Sequence, residues 1–336
     1  MEGVGREVRL VARPLGFPDE ELFEVAETPI PSPSEGQVLI RNAYFSVDPY
    51  MRPRMNDVRS YVAPFTLGEA MTGGAVGRVA VSRNSRYAEG DWVLHPLGWR
   101  EWALSDGTSL RRLDPAAAPV STALGVLGMP GFTAWYGLFV LGEPKAAETV
   151  FVSGAAGAVG SAAGQMARIA GCRVIGSAGT EEKVAWLDEL GFDAGFDYRN
   201  RSPRDALAEL APDGIDIYFD NVAGDHLEAA IGALRTFGRV VACGSISRYN
   251  DTEPLPGPRN MFLVVTKRLR ITGYIITDHL ERYGEFARQA AEWYREGRLQ
   301  HRETIVEGID NAPKAFLGLL RGENIGKMLV KVGPDA

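Results

Sequence analysis

The stretch "SGAAGAVGSAAGQMARIAG", from Ser153 to Gly171, constrains the fold more than any other part of this 336-residue chain. A glycine inside a helix costs about 1 kcal/mol relative to alanine, so a glycine cluster at a helix start needs a compensating reason. The residues before it, Glu148-Thr-Val-Phe-Val, read as a buried strand, and those after it, Cys172-Arg-Val-Ile-Gly, read as another. The cluster is therefore the turn and helix of a βαβ unit. Within it Ala155, Gly157 and Gly160 give A-x-G-x-x-G, which lets bare backbone approach a pyrophosphate and lets the helix pack closely on its strand. The helix N-terminus adds N–H groups and a partial positive charge. A glycine triplet alone is a tight turn; framed by two strands, it points to dinucleotide binding.

The alternation continues along the chain. Strands are expected at Val150 to Ser153, Arg173 to Gly176, Ala194 to Asp197, Ile215 to Asp220, Gly238 to Cys243 and Leu269 to Ile275, with helical patterns between them. This is the pattern of an α/β fold with a doubly wound parallel sheet of the Rossmann type, placed at 124–300. Residues 1–123 differ in kind. Short apolar runs such as Gly36-Gln-Val-Leu-Ile-Arg and Ala75-Val-Gly-Arg-Val-Ala-Val, punctuated by proline and glycine, predict a barrel-like, mostly antiparallel β domain that carries the substrate side. The segment 301–336 is expected to return to that domain, with a helix near Ala312 to Leu320 and a strand at "GKMLVKV", Gly326 to Val332.

Apolar residues make up 45% of the chain and charged ones 24%, as in ordinary globular proteins, and the formal net charge of −7 argues against a nucleic-acid partner. Lys267, Arg268 and Arg270 read as a solvated edge ahead of a strand. The start, "MEGVGREVRL", has no apolar core and does not resemble a secretory signal, so a cytoplasmic protein is expected. The segment from Pro115 to Gly142 contains no charge, but Pro130-Gly131 breaks it, and a buried helix suits it better than a membrane span. Two cysteines, Cys172 and Cys243, exclude a disulfide framework and fit a reducing compartment. The histidines, His95, His226, His279 and His301, have no metal-ligand spacing.

An enzyme using NAD normally carries an acidic residue at the end of the second strand, to hold the ribose 2′-hydroxyl. Here that end reads Gly176-Ser-Ala-Gly-Thr180, with no carboxylate. Thr180 reads as an N-cap, with Glu181, Glu182 and Lys183 in the first helical turn. Lys183 opposes the helix dipole and gains most from a nearby anion such as a 2′-phosphate. The residues alone equally admit a solvated lysine offset by the two glutamates.

Several segments, in order and spread over nearly the whole chain, resemble one family: the zinc-independent medium-chain dehydrogenases/reductases of the prostaglandin reductase (leukotriene hydroxydehydrogenase) and alkenal double-bond reductase type. They are "SVDPYMR" (Ser46 to Arg52), "GMPGFTAWYGL" (Gly128 to Leu138), "AAGAVGS" (Ala155 to Ser161), "EEKVAWLDELGFD" (Glu181 to Asp193), "DNVAG" (Asp220 to Gly224), "CGSISRYN" (Cys243 to Asn250) and "GENIGKMLVKV" (Gly322 to Val332). The resemblance implies a GroES-like first domain and NADPH-dependent reduction of the carbon–carbon double bond of α,β-unsaturated ketones or aldehydes. It further implies that Gly157, Ala158, Val159 and Gly160 meet the pyrophosphate and that Lys183 and Tyr198 hold the 2′-phosphate. Asn221, the loop Cys243, Gly244, Ser245, Ile246, Ser247 and Tyr249, the strand end Tyr274, Ile275 and Ile276, and Asn324 are implied as further cofactor contacts.

Zinc-dependent relatives place a cysteine in the segment that reads Tyr44-Phe-Ser-Val-Asp here, and Gly-His-Glu where this chain has Leu67-Gly-Glu-Ala; both ligands are missing. Conjugate reduction needs no Lewis acid, but the enolate left by hydride addition needs a hydrogen-bond donor and then a proton. Tyr249 is the candidate donor; if it only packs on the cofactor, a ribose hydroxyl or water supplies the proton. Tyr50 and Met51 are expected to line the substrate site. A small hydrophobic enone or enal is the expected partner, and pairing of the strand Leu269 to Ile275 predicts a homodimer. A quinone reductase of the same superfamily, or a non-enzymatic NADPH-binding redox sensor, remains an alternative.

Overall fold

The computed structural model describes residues 3–335. Residues up to Leu124, with those from Glu303 onward, form one compact unit, and Gly125–Arg302 forms another.

The first unit opens with β1 (Val4–Leu10) and β2 (Phe23–Pro29), an antiparallel pair. It continues with β3 (Val38–Ser46), β4 (Ala75–Ser82), β5 (Trp92–His95), β6 (Trp102–Ser105) and β7 (Arg111–Leu113). Strand β3 is buried along almost its whole length and pairs antiparallel with both β4 and β6. Its register against β4 shifts at Leu39/Ile40 and at Asn42/Tyr44, and such bulges add twist and curve the sheet. Trp99 is the centre of the core, its ring 5.4 Å from Phe45 and 6.5 Å from Phe23.

The second unit holds β8 (Thr149–Val152), β9 (Arg173–Ala178), β10 (Ala194–Asp197), β11 (Ile215–Asp220), β12 (Leu234–Ala242) and β13 (Arg270–Gly273). They form a six-stranded parallel sheet in the order β10-β9-β8-β11-β12-β13. The order reverses between β8 and β11, where such sheets open a crevice at the carboxyl ends of their strands. Strand β12 starts ahead of the expected Gly238, because Phe237, at φ 65°, absorbs a bulge that lets the strand begin at Leu234.

Lys267 is not a solvated edge charge: its ammonium donates to the carbonyls of Ile231 (3.3 Å), Gly232 (2.7 Å) and Leu234 (2.7 Å), closing the open end of the helix Gly224–Ala233. The charge-free segment forms the buried helix Met129–Trp135 and runs on into a widened π-type turn at Tyr136–Gly142. A Cβ on Gly131 would lie 1.9 Å from the Val126 carbonyl oxygen, so only glycine permits that approach. Among the described residues no helix is long and apolar enough to cross a membrane.

The chain then returns to the first unit through β14 (Glu303–Glu307), the helix Ala312–Arg321 and β15 (Lys327–Lys331). Strand β15 pairs antiparallel with β3 and parallel with β14, giving the order β14-β15-β3-β4-β5-β7 with β6 on β3. The returning helix places Phe316 6.1 Å from Trp99, inside the core of that unit.

Candidate active site

At the end of β8 the chain turns through Gly154, at φ 58°, a left-handed conformation that favours glycine. The helix Ala158–Ile169 follows, with Gly157 as its N-cap and no side chain capping it. Two other helices of the unit are capped by side chains, by Thr180 on Lys183 N–H and by Ser202 on Asp205 N–H. A Cβ on Gly160 would lie 2.3 Å from the Gly154 carbonyl oxygen, so this glycine is fixed by close helix-to-strand approach. Bare backbone and first-turn N–H groups at Ala158, Val159 and Gly160 are what a pyrophosphate requires.

The neighbouring strand end is tied to this turn. Ser153 Oγ accepts the Asn221 N–H at 3.0 Å, and the Asn221 side-chain amide donates to the Ser153 carbonyl at 2.8 Å. Asp220, buried, accepts the N–H groups of Val222 (3.0 Å) and Ala223 (2.7 Å), with the Tyr218 hydroxyl at 2.7 Å. Burial raises the Asp220 pKa, and these hydrogen bonds pull it back. They also hold Ala223 at φ 64°, a strained conformation for a residue with a Cβ. The Asp220–Gly224 turn is thus a braced platform.

On that platform sits the loop after β12. Cys243 and Gly244 donate their N–H groups to the Asp220 carbonyl at 2.9 and 3.0 Å, and Ser247 Oγ donates to the Val222 carbonyl at 2.5 Å. Tyr249 folds back so that its phenol oxygen accepts the Ser245 N–H at 3.4 Å. Burial raises the Tyr249 pKa, with the Ser245 hydrogen bond opposing it, so the phenol keeps its proton at neutral pH. Burial pushes the Cys243 thiol up to about 12, which disfavours its thiolate at neutral pH. Tyr274, just past β13, donates to the Thr133 carbonyl at 2.7 Å and leads into Ile275 and Ile276.

At the end of β9, Lys183 lies in the first turn of the helix Glu181–Glu189. Burial lowers its pKa, Arg199 lowers it further, and Glu182 pulls it up. Tyr198 follows β10 and donates its N–H to the Ala178 carbonyl at 3.0 Å. The second unit thus brings Gly157 to Gly160, Lys183, Tyr198, Asn221, Cys243 to Tyr249 and Tyr274 to the strand ends of one sheet. Arg199, which the sequence analysis does not single out, follows Tyr198 directly.

Tyr50, Met51 and Asn324 belong to the first unit. Burial pushes the Tyr50 phenol well above its ordinary pKa, Asp48 adds to this and Arg54 opposes it. Met51 is fully buried, and its methyl group lies 2.4 Å from where a Cβ on Gly73 would stand. It therefore supports the Tyr50 turn from inside the core. The Asn324 amide donates to the Gly326 carbonyl at 2.8 Å.

The chain matches two protein-family profiles, described as the N-terminal domain of oxidoreductase over residues 6–113 and as zinc-binding dehydrogenase over residues 158–293. It is 44% identical over 332 residues to an NADPH-dependent curcumin reductase of Escherichia coli, covering 97% of this chain and 96% of that protein. It is 42% identical over 325 residues to prostaglandin reductase 1 of Rattus norvegicus, covering 94% and 95%. The chain belongs to the prostaglandin reductase and alkenal reductase family. Within that family, the crystal structure of CurA from Vibrio vulnificus in complex with NADPH superposes with a TM-score of 0.93 at 43% identity, covering 98% of this chain and 99% of that one.

The description of the second profile names zinc, and the residues present do not fit that metal. Among the described residues no group of three or more His, Cys, Asp or Glu side chains is placed to hold an ion. His95 donates from Nε2 to Asn42 Oδ1 at 2.9 Å and accepts the Leu97 N–H on Nδ1 at 3.2 Å, which occupies both ring nitrogens. Burial, with Arg100 nearby, lowers its pKa to about 3. NADPH does fit: an uncapped helix end behind Gly157, and a strand end with cations in place of the acidic residue that NAD enzymes carry there.

Proposed function

We propose that this protein reduces the carbon–carbon double bond of α,β-unsaturated ketones and aldehydes, with NADPH as the reductant. NADPH, when bound, supplies the hydride that reaches the β-carbon. The first-turn N–H groups at Ala158, Val159 and Gly160 receive the pyrophosphate, and Lys183 and Tyr198 the 2′-phosphate. Asn221, the loop from Cys243 to Tyr249 and the strand end from Tyr274 to Ile276 complete the cofactor contacts of the second unit. Tyr50 is the substrate-facing residue of the first unit, backed by Met51.

The observation that carries the mechanism is the Tyr249 hydroxyl. Its oxygen accepts from Ser245, so its own proton is left to donate. Hydride addition at the β-carbon moves an electron pair onto the carbonyl oxygen, and a donor there stabilises the enolate. A phenol that stays neutral can do this and can then yield its proton to the α-carbon.

An acceptor panel tests the assignment. NADPH oxidation is expected with enals and enones and not with simple ketones, and it should persist after exhaustive chelation. Turnover confined to quinones, or loss of activity on chelation with recovery on zinc addition, would overturn it.

We also infer a cytoplasmic homodimer. The free cysteines Cys172 and Cys243 suit a reducing compartment. The edge strand β13 leaves Ile271 exposed, next to a helix with Phe262 74% and Val265 68% exposed, a surface that pairing with a second copy would cover.

A further inference from the structure

The end of β9 gathers groups from three stretches of chain. Gly179 follows the strand directly, Lys183 lies in the helix beyond it, and Tyr198 and Arg199 follow β10. A Cβ on Gly179 would stand 3.0 Å from the Tyr198 hydroxyl oxygen and 3.3 Å from Arg199 Nε. Both side chains therefore lie over the bare face of this glycine, where an added methyl would press them back by a few tenths of an ångström. Arg199 is held in this turn by its N–H, which donates to Asp197 Oδ1 at 2.9 Å. Its charge reaches Lys183: after burial, Arg199 is the largest influence lowering that ammonium's pKa. Two cations and the amino end of the helix Glu181–Glu189 thus converge on one strand end, a set of positive groups that favours an anion there. A guanidinium can meet a phosphate with two parallel N–H donors, which an ammonium cannot.

We propose that Arg199 is a second phosphate-binding cation, which with Lys183 and Tyr198 selects the 2′-phosphate of NADPH over the bare 2′-hydroxyl of NADH, with Gly179 leaving both side chains room beside the strand end. This rests on the NADPH reading above. Calorimetric titration of NADPH and NADH into the full-length protein and its Arg199→Gln variant tests it without turnover. Arg199→Gln should weaken NADPH about tenfold or more, the effect of a lost charge-assisted hydrogen bond, while NADH affinity stays unchanged. Arg199→Lys should recover part of the loss. Gly179→Ala, which crowds both side chains, should shift NADPH in the same direction as Arg199→Gln. An Arg199→Gln variant with unaltered NADPH affinity, or with equal loss for both cofactors, overturns the role of Arg199 alone. A wild-type protein that binds the two cofactors equally overturns the NADPH reading itself, and this proposal with it.

Discussion

At Tyr249 the Ser245 N–H meets the phenol oxygen across 3.4 Å, and burial raises the phenol's pKa. Removing only the hydroxyl keeps the ring in place. In Tyr249→Phe, kcat on a good enone should therefore fall by about one to three orders of magnitude, the range for losing a general acid or an oxyanion donor, while NADPH affinity changes little. Since the shift is upward, the neutral phenol persists as pH rises. The wild-type kcat profile should show no alkaline decline from this group until the pH passes its ordinary value of about 10. An unaltered kcat in the variant, measured where chemistry limits the rate, would assign Tyr249 to packing and the proton to ribose or water. Much at this scale was legible in the sequence, because spacing carries it. Gly157 and Gly160 stand three residues apart, and Thr180 caps a turn three residues long. Arg199 was not legible, because its neighbour Lys183 is on another element and only the pairing of β10 with β9 brings them together.

At the scale of elements, the parallel sheet follows from six apolar runs alternating with helical patterns, whereas the strand order, with its reversal between β8 and β11, is visible only in the fold. The parts that escaped reading depend on partners far away in the chain. Lys327, almost fully buried on β15, donates to the Val47 carbonyl at 2.8 Å and lies 3.2 Å from Asp48 Oδ1. Asp48 also accepts from Ser46 Oγ. Burial lowers the Lys327 pKa and Asp48 pulls it back up. In the sequence Lys327 is one charge in an apolar run; in the fold it pins the turn that carries Tyr50 to the returning strand. Lys267 escaped for the same reason, since the carbonyls it closes lie more than thirty residues earlier, where the helix Gly224–Ala233 passes into β12. The bulge at Phe237 left no signal, because phenylalanine is a poor choice for a positive φ.

At the scale of the whole molecule, the proposed dimer and the proposed reaction are separable. Light scattering should give the mass of a dimer, and charged substitutions at Phe262 and Val265, both exposed, should yield monomers that stay folded. A concentration-independent monomer mass for the wild type would contradict the pairing. The reaction is tested most directly by the fate of the transferred hydrogen. With an aliphatic enone and NADPH deuterated at the transferable position, NMR of the product should show a saturated ketone with one deuterium on the β-carbon and the carbonyl intact. Deuterium on the carbinol carbon of an allylic alcohol would contradict it.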